Sequence, residues 1–263
     1  MADKPALPEL PAYVINLDGS EARLASARDQ LDQAGIAFER VAAFDGRGLR
    51  LDQFPGYDAK RALAYMGRPL RGGEIGCYLS HLEAARRFLA TGKPFGLVFE
   101  DDVQLLPEMP DLLDQLLNWI GTRPTDWDMI NLGPNTHKIF TPLRSFSAGG
   151  KSSAITRAHY FPMCATGILW SRDGAQAFVQ GHRKIFAPLD NFYRDWMTRT
   201  DRGLAMWPPI LGTIEAVSDI APLSVSNRSA GERRWFYGLT KQRRLFTYKT
   251  LAWLHRLRAH PAS

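Results

Sequence analysis

Three consecutive acidic residues, Glu100, Asp101 and Asp102, directly follow the apolar run at 95–99. A short apolar run that ends in charged residues predicts a buried strand whose charges lie at one edge of a sheet. In open α/β sheets, ligands bind in the crevice beyond the carboxyl ends of the strands. Adjacent carboxylates repel one another unless a cation joins them, and hard divalent cations prefer oxygen ligands. The triplet therefore predicts a site for a divalent cation that carries a phosphorylated substrate. The alternative is a solvated loop or a cap for the next helix.

Two further residues have side chains that could move a proton. Asp190 stands in an apolar surrounding, where burial would raise the pKa of its carboxyl group and suit it to act as a general base. Its alternative role, given equal weight, is to cap a helix over 191–198. His81 follows a glycine-rich run at 72–76, and a single histidine in such a place is more often structural than catalytic.

The elements that must position these residues alternate between strands and helices. An apolar run at 13–17, a helix from Glu21 and a second strand at 38–41 form a strand–helix–strand unit. Such a unit implies a right-handed crossover and parallel strands. Apolar spacing then predicts a helix from about 74, a strand at 95–99, a helix at 111–120, strands at 129–132 and 165–170, and a helix at 172–180. The sequence thus predicts an α/β fold with a mixed, mostly parallel sheet flanked by helices.

Two long stretches lack a clear period. Residues 133–158 are rich in Gly, Ser, Thr and Lys, which is typical of a mobile loop, and 181–235 are predicted to form loops and short pieces. A second acidic pair, Asp126 and Asp128, precedes its predicted strand instead of following it. We therefore expect this pair in a surface turn at the edge of the sheet opposite to the acidic triplet.

Composition limits the class of protein. The chain has 263 residues, of which 45% are hydrophobic, enough for one large domain or two small ones. Its two cysteines, Cys77 and Cys164, give neither a metal-binding spacing nor a disulfide framework, and we interpret them as reduced core residues. No stretch approaches the roughly 18 apolar residues of a membrane span. Residues 1–12 lack the apolar segment of a secretory signal. These features favour a cytoplasmic protein.

The basic charge is concentrated at the carboxyl end. Residues 233–263 contain eight Lys and Arg and no acid, whereas residues 1–232 contain 25 basic and 27 acidic residues. Residues 239–260 predict a basic amphipathic helix, which favours contact with an anionic membrane surface. The alternatives are a helix docked on the domain and, less favoured, a nucleic-acid contact. We therefore divide the chain into a domain at 1–232 and a tail at 233–263.

Four sequence blocks, taken together, resemble glycosyltransferase family 25, the lipopolysaccharide-biosynthesis transferases related to the collagen galactosyltransferases. The blocks occur in this order: Tyr13-Val14-Ile15-Asn16-Leu17-Asp18 with Arg23, Ala43-Phe44-Asp45-Gly46, Gly73-Glu74-Ile75-Gly76-Cys77 with Ser80-His81, and Val98-Phe99-Glu100-Asp101-Asp102-Val103. Weaker similarity continues to Ser218-Asp219-Ile220. The resemblance covers roughly 13–225 and leaves out the tail.

This resemblance implies a GT-A-like fold and transfer of a hexose, galactose or glucose, from a UDP-sugar with inversion at the anomeric carbon. The acceptor would be a lipooligosaccharide, another glycan or a lipid-linked saccharide, and the cofactor Mn²⁺ or Mg²⁺. With the tail on the inner membrane face, the enzyme would lie near such an acceptor. The rivals are a nucleotidyltransferase and a nucleotide-sugar-binding protein without catalysis.

The resemblance also implies roles for individual residues. Asp102 is the expected metal ligand, together with Glu100, and Glu100 or Asp101 would meet the ribose or a metal-bound water. Donor-side contacts are assigned to the following residues: Asn16 and Leu17 beside the base and ribose, Arg23 at the uracil or a phosphate, and Asp45. Asp190 is the expected catalytic base, with His81 as the second candidate.

Overall fold

The computed structural model describes residues 10–122, 125–134, 136–181, 184–214 and 237–259. The predicted boundary between 232 and 233 and the block at 218–220 lie outside the described residues. The strands are β1 (Ala12–Asn16), β2 (Glu39–Ala42), β3 (Phe95–Glu100), β4 (Val103–Leu105), β5 (Met129–Asn131), β6 (Thr141–Ala148), β7 (Lys151–Arg157), β8 (Gly167–Ser171), β9 (Gly203–Trp207) and β10 (Leu211–Thr213). The α-helices are α1 (Glu21–Gln33), α2 (Ala59–Met66), α3 (Gly72–Ala90), α4 (Met109–Gly121), α5 (Arg172–Gly181), α6 (Leu189–Thr200) and α7 (Tyr237–Arg258).

Eight strands form one mixed sheet in the order β2-β1-β3-β8-β5-β9-β7-β6. The strand β1 pairs in parallel with both β2 and β3, and β5 pairs in parallel with β9. The strands β8 and β7 run against their neighbours, so the other six point the same way. A small antiparallel sheet joins β4 to β10. The predicted α/β class, the mostly parallel sheet and the carboxyl-terminal helix are confirmed.

The sheet has a hydrophobic core on each face because side chains alternate along buried strands. In β3, Val98 packs on the face covered by α3, α5 and α6, whereas Leu97 and Phe99 pack on the face covered by α1 and α4. Two buried layers explain why the run at 95–99 is apolar at every position rather than at alternate ones. Its first charged residues can therefore occur only where the strand leaves the core.

Two of the predictions on irregular regions are wrong. Within 133–158, β6 and β7 form a hairpin at the edge of the sheet. Gly149 and Gly150 both have positive φ values, 56° and 79°, as a two-residue hairpin turn requires. The edge position leaves polar side chains in solvent, which is why composition alone indicated a loop. Within 181–235, α6 and β9 are regular elements, and α6 buries Leu189, Tyr193 and Met197 at a spacing of four.

The acidic pair at 126–128 is only partly as predicted. It precedes β5, at the edge of the sheet opposite to the triplet, as expected. However, Trp127 and Asp128 are buried, so this segment is not a surface turn. An Asp128 carboxylate oxygen lies 2.7 Å from Nε of Arg202. This ion pair gives the second acidic segment a structural role.

The helix α7 docks on the domain by one face. Tyr248 and Ala252 are buried there, and the Tyr248 hydroxyl lies 3.0 Å from that of Tyr65 and 2.5 Å from a carboxylate oxygen of Asp195. The Arg244 guanidinium donates to the Tyr65 carbonyl. The docked helix, one of the alternatives left open, is therefore present. No helix of the described residues combines the length and apolarity needed to cross a bilayer.

Candidate active site

The acidic triplet lies beside the carboxyl end of β1. Ile15 is opposite Glu100 in the parallel β1–β3 pair, so the loops that follow β1 and β3 emerge side by side. Together with the segment after β2 and the first turns of α3, they surround a cleft of about 150 Å³. Its walls include Ile15, Leu17, Arg23, Phe44, Asp45, Arg47, Cys77, Ser80, Glu100, Asp101 and Asp102. The sequence blocks that are far apart along the chain thus meet at one edge of the sheet.

Asp101 is held by neighbouring side chains at the carboxyl ends of β1 and β3. One carboxylate oxygen lies 2.5 Å from the Arg23 guanidinium, and the other accepts a 2.7 Å hydrogen bond from the Asn16 side-chain amide. The amide oxygen of Asn16 accepts in turn from Nε of Arg40 at 3.0 Å. Asn16 is buried, and its side-chain amide positions Asp101 instead of presenting a polar group to a ligand in the cleft. The roles predicted for Asn16 and Asp101 at the ribose stay predictions.

Asp102 has an incompletely satisfied carboxylate. Its Oδ1 is buried without a hydrogen-bond partner among the described residues, and its Oδ2 lies 3.7 Å from the Arg23 guanidinium. Burial and the nearby Glu100 charge raise the pKa of Asp102 to about 6, although Arg23 acts in the opposite direction. A buried anionic oxygen of this kind is costly without a partner. A hard cation would supply that partner, so the residues fit the predicted metal.

Glu100 points towards the helix α3. Its Oε1 lies 3.3 Å from Nε2 of His81 and 3.5 Å from Sγ of Cys77. Burial opposes ionisation of Glu100, but the contacts with His81 and Cys77 and the Arg23 charge outweigh it, so the pKa of Glu100 is lowered. Glu100 is therefore an anion shared between the cleft and α3. His81 is fully buried, so it meets Glu100 rather than open cleft.

Asp190 lies in the first turn of α6, outside the cleft wall but close enough to Glu100 and His81 for their charges to shift its pKa. Burial and the Glu100 charge raise the pKa of Asp190 to about 6, while His81 and a hydrogen bond from the Cys164 backbone N–H act in the opposite direction. That backbone is unusual, since Cys164 has a φ of 124°, a value that side chains disfavour. Helix α6 begins after Pro188 without a side-chain cap. The contacts therefore do not support a role for Asp190 as a helix cap.

The remaining predicted donor contacts line the cleft. Leu17 and Asp45 are both in its wall, and both carboxylate oxygens of Asp45 accept hydrogen bonds from the Arg47 guanidinium. Hydrogen bonds from Arg47 lower the pKa of Asp45 to about 2. Phe44, for which no role was predicted, lies in the same wall with 44% of its surface exposed. Its place in the block Ala43-Phe44-Asp45-Gly46, directly before an acidic residue, was the signal that could have identified it.

Glycines allow α3 to approach the segment after β2. A Cβ atom at Gly76 would lie 2.4 Å from the Phe44 carbonyl oxygen, which is backbone and cannot easily retreat. Next to it, the Phe44 backbone N–H donates to Oγ of Ser80 at 2.8 Å. The wall of the cleft therefore depends on a close backbone contact at Gly76.

Gly76→Ala is expected to destabilise the fold by about 1–3 kcal/mol, because the added methyl group overpacks this contact. Urea unfolding followed by circular dichroism measures the change. Gly121→Ala is the matched control, since a Cβ there meets nothing within 4 Å. Equal stability of the two variants would show that the contact at Gly76 is not tight.

The chain belongs to glycosyltransferase family 25, because the family model described as glycosyltransferase family 25 (LPS biosynthesis protein) matches residues 9–193. Procollagen galactosyltransferase 1 of Danio rerio is 28% identical over 189 residues, which are 68% of this chain and 30% of that protein. The inactive glycosyltransferase 25 family member 3 of Homo sapiens is 38% identical over 133 residues, 46% of this chain and 21% of that protein.

A further relative, the probable inactive glycosyltransferase 25 family member 3 of Rattus norvegicus, is 29% identical over 235 residues, 85% of this chain and 39% of its own length. The chain thus spans well under half the length of these relatives. Among solved structures, the galactosyltransferase LgtC with donor and acceptor sugar analogues has a TM-score of 0.38 at 13% identity, covering 92% of this chain and 95% of that one. A glycosyltransferase involved in glycosylation of the major capsid of PBCV-1 has a TM-score of 0.42 at 11% identity, covering 80% and 95%.

Proposed function

We propose that this chain is a metal-dependent, inverting glycosyltransferase that moves a hexose, galactose or glucose, from a UDP-sugar to a glycan acceptor such as a lipooligosaccharide. The observation that carries the proposal is the buried Oδ1 of Asp102, which has no hydrogen-bond partner among the described residues and lies in the wall of a cleft. Some relatives are named galactosyltransferases and others are named inactive. Family membership alone therefore does not decide whether this chain is active. That depends on its own site residues.

Asp102 and Glu100 would hold the cation, Mn²⁺ or Mg²⁺. Such an ion would neutralise the charge that grows on the departing diphosphate. Arg23 supports this arrangement because it holds Asp101 at 2.5 Å and lies 3.7 Å from Asp102. The guanidinium thus limits the repulsion among the three acids without cancelling it. The net negative charge that remains is what a cation requires.

The nucleoside would lie against the wall formed after β1 and β2. Leu17 offers an apolar surface and Phe44 an exposed ring, and both line the cleft. An aromatic ring can stack on a base at little conformational cost. Asp45 is kept ionised by Arg47 and would accept hydrogen bonds from ribose hydroxyl groups. These contacts would orient the donor with its diphosphate towards Asp102.

Asp190 would take the proton of the attacking acceptor hydroxyl. An inverting transfer needs one base on the acceptor side, and a carboxylate with a pKa of about 6 is mostly ionised at neutral pH yet basic enough to accept a proton. His81 is less suited to this role, since it is fully buried and its Nε2 contacts Glu100. We retain it as the second candidate.

A panel of UDP-sugars with Mn²⁺, with and without EDTA, tests the proposal by UDP release in the presence of glycan acceptors. We expect release that depends on the acceptor and stops with the chelator. Pyrophosphate from UTP and a sugar phosphate would instead identify a nucleotidyltransferase. Donor binding without turnover would identify a nucleotide-sugar-binding protein. Either result would refute the proposed reaction.

We also propose that α7 holds the enzyme on an anionic membrane surface, at the cytoplasmic face, near a lipid-linked acceptor. The face of α7 that does not dock carries an exposed apolar stripe: Leu239, Phe246, Trp253, Leu254 and Leu257. Basic residues border it, namely Arg243, Lys249, Arg256 and Arg258. An apolar stripe edged by cations is the pattern that inserts into an anionic interface. If the stripe instead bound a soluble protein, that binding would not require lipid.

Replacing Leu239, Phe246 and Leu257 together with Ser is expected to weaken binding to anionic liposomes by at least about tenfold. These three side chains are 74%, 73% and 78% exposed, so the fold should not depend on them. Liposome co-sedimentation with anionic and with neutral vesicles measures the effect. Exchange of Gln242, Thr247 and Thr250, exposed polar residues of the same helix, is the control. Unchanged binding of the apolar triple variant would leave α7 as a docked helix only.

A further inference from the structure

Cys77, His81 and Glu100 form a cluster with three different ligand atoms. Cys77 and His81 are four residues apart on α3, so both side chains lie on one face of the helix. Sγ of Cys77, Nε2 of His81 and a carboxylate oxygen of Glu100 all lie within 4.8 Å of one another. Two parts of the chain, the helix and the end of β3, are needed to complete the set. A thiol, an imidazole and a carboxylate are the ligand types that Zn²⁺ accepts.

Two of the three separations in this cluster match the edges of a tetrahedral zinc site, and the third, between Sγ of Cys77 and Nε2 of His81, is within 4.8 Å. Zinc bonds of about 2.0 Å to N and O and about 2.3 Å to S give tetrahedral edges of about 3.3 Å between N and O and about 3.5 Å between S and O. The observed separations are 3.3 Å from Nε2 of His81 to Oε1 of Glu100 and 3.5 Å from Sγ of Cys77 to the same oxygen. Both agree with the edges of a site centred among the three atoms. The Glu100 pairs with Cys77 and with His81 could therefore each accept an ion with little movement.

The surroundings of the cluster also suit an ion. His81 is fully buried, and its Nδ1 has no hydrogen-bond partner among the described residues, so Nδ1 can take up the proton that Nε2 must give up when an ion replaces its contact with Glu100. Cys77 and Glu100 line the cleft, which gives the ion a route from solvent and leaves a fourth position for water. Ligand identity, separations and access are the features by which such a site is judged.

We propose that Cys77, His81 and Glu100 form a site for Zn²⁺, a divalent ion of borderline softness. This site differs from the one proposed at Asp102, whose oxygen ligands prefer a hard cation. On binding, the Cys77 thiol proton is released to water and the sulfur becomes a thiolate ligand, with no change of oxidation state. Glu100 serves both sites, so zinc and the cation of sugar transfer would compete for it. That consequence rests on the proposed transferase function, whereas zinc binding itself does not.

Titration with Co²⁺, a spectroscopic substitute for Zn²⁺, tests the site without donor or acceptor. For the wild-type chain we expect one ion per chain, with a thiolate-to-cobalt charge-transfer band and the strong visible bands of four-coordinate cobalt. Cys77→Ser should abolish the charge-transfer band, and His81→Asn should weaken binding by at least about tenfold. Cys164→Ser is the matched control, because the other cysteine contacts Thr166 instead and should keep the band.

The proposal is overturned if the wild-type chain shows no charge-transfer band, if Cys77→Ser keeps it, or if Cys164→Ser loses it. Circular dichroism checks that each variant is folded, and Cys77→Ala replaces Cys77→Ser if the latter is not. Zn²⁺ should displace Co²⁺ at one equivalent, whereas a large excess of Mg²⁺ should not, because thiolate and imidazole ligands disfavour Mg²⁺. Displacement by Mg²⁺ would contradict the proposal. Since no sugar transfer is measured, failure here is distinguishable from failure of the transferase proposal.

Discussion

Asp102→Asn is expected to lower kcat/KM for UDP-sugar turnover by at least about a hundredfold, because the variant removes the charge that would hold the cation. The same variant should keep or raise the unfolding temperature. Burial and Glu100 raise the pKa of Asp102 to about 6, so at pH 7.5 the ionised side chain opposes folding, and a neutral amide relieves that cost. Lost activity with kept stability is the mark of a functional residue rather than a structural one.

Asp126→Asn is the matched control, since it makes the same change at the opposite edge of the sheet, where Asp126 is exposed and pairs with Arg157. Its turnover should equal that of the wild-type chain. UDP release at saturating Mn²⁺ measures both variants, and thermal unfolding by circular dichroism measures their stability. Turnover of Asp102→Asn within a few-fold of the wild-type value would remove Asp102 from the site of the cation.

Asp190→Asn is expected to lower kcat by about 10²–10⁴-fold with little change in the KM for the donor, as loss of a general base does. The amide can still accept the hydrogen bond from the Cys164 backbone N–H, so the start of α6 should stay in place. Initial rates at varied donor and acceptor concentrations separate kcat from KM. A rise in the donor KM with kcat unchanged would assign Asp190 to donor binding instead.

The pH dependence provides an independent check on Asp190. Its pKa is raised to about 6, so the carboxyl group is protonated and unable to accept a proton below that pH. We expect kcat at saturating metal and donor to fall about tenfold per pH unit below about pH 6 and to level off above it. A saturating cation keeps Asp102 ionised, so this acidic limb reports Asp190. The limb should vanish in Asp190→Asn, and its persistence would point to His81 or another base.

The position of the acidic triplet could be predicted from the sequence because it depends on a local pattern. Residues 95–99 are apolar at every position, which indicates a strand buried on both faces, and Glu100 is the first residue that can leave the core. The strand–helix–strand order predicted parallel strands, whereas the pairing of β1 with β3 is known only from the structure. The triplet was therefore expected at the edge where the cleft lies, and the structure has it there.

The contacts of Glu100 could not be predicted in the same way. Apolar neighbours favour a reduced core residue at Cys77, and a single histidine such as His81 is more often structural than catalytic. Their meeting with Glu100 depends on how α3 packs across the end of β3, which single-sequence patterns do not encode. The spacing of four between Cys77 and His81 was the one local signal. The hairpin β6–β7 was missed for a related reason, since its polar exposed face looks like a loop.

Binding of UDP, measured by calorimetry with Mn²⁺ and with EDTA, tests the central claim most directly, because it separates the cation's role from catalysis. If Asp102 and Glu100 hold a cation that contacts the diphosphate, the wild-type chain should bind UDP at least about tenfold more tightly with Mn²⁺ than with EDTA, and Asp102→Asn should lose that difference. Equal affinity of the wild-type chain under both conditions, or an undiminished Mn²⁺ effect in Asp102→Asn, would contradict the account.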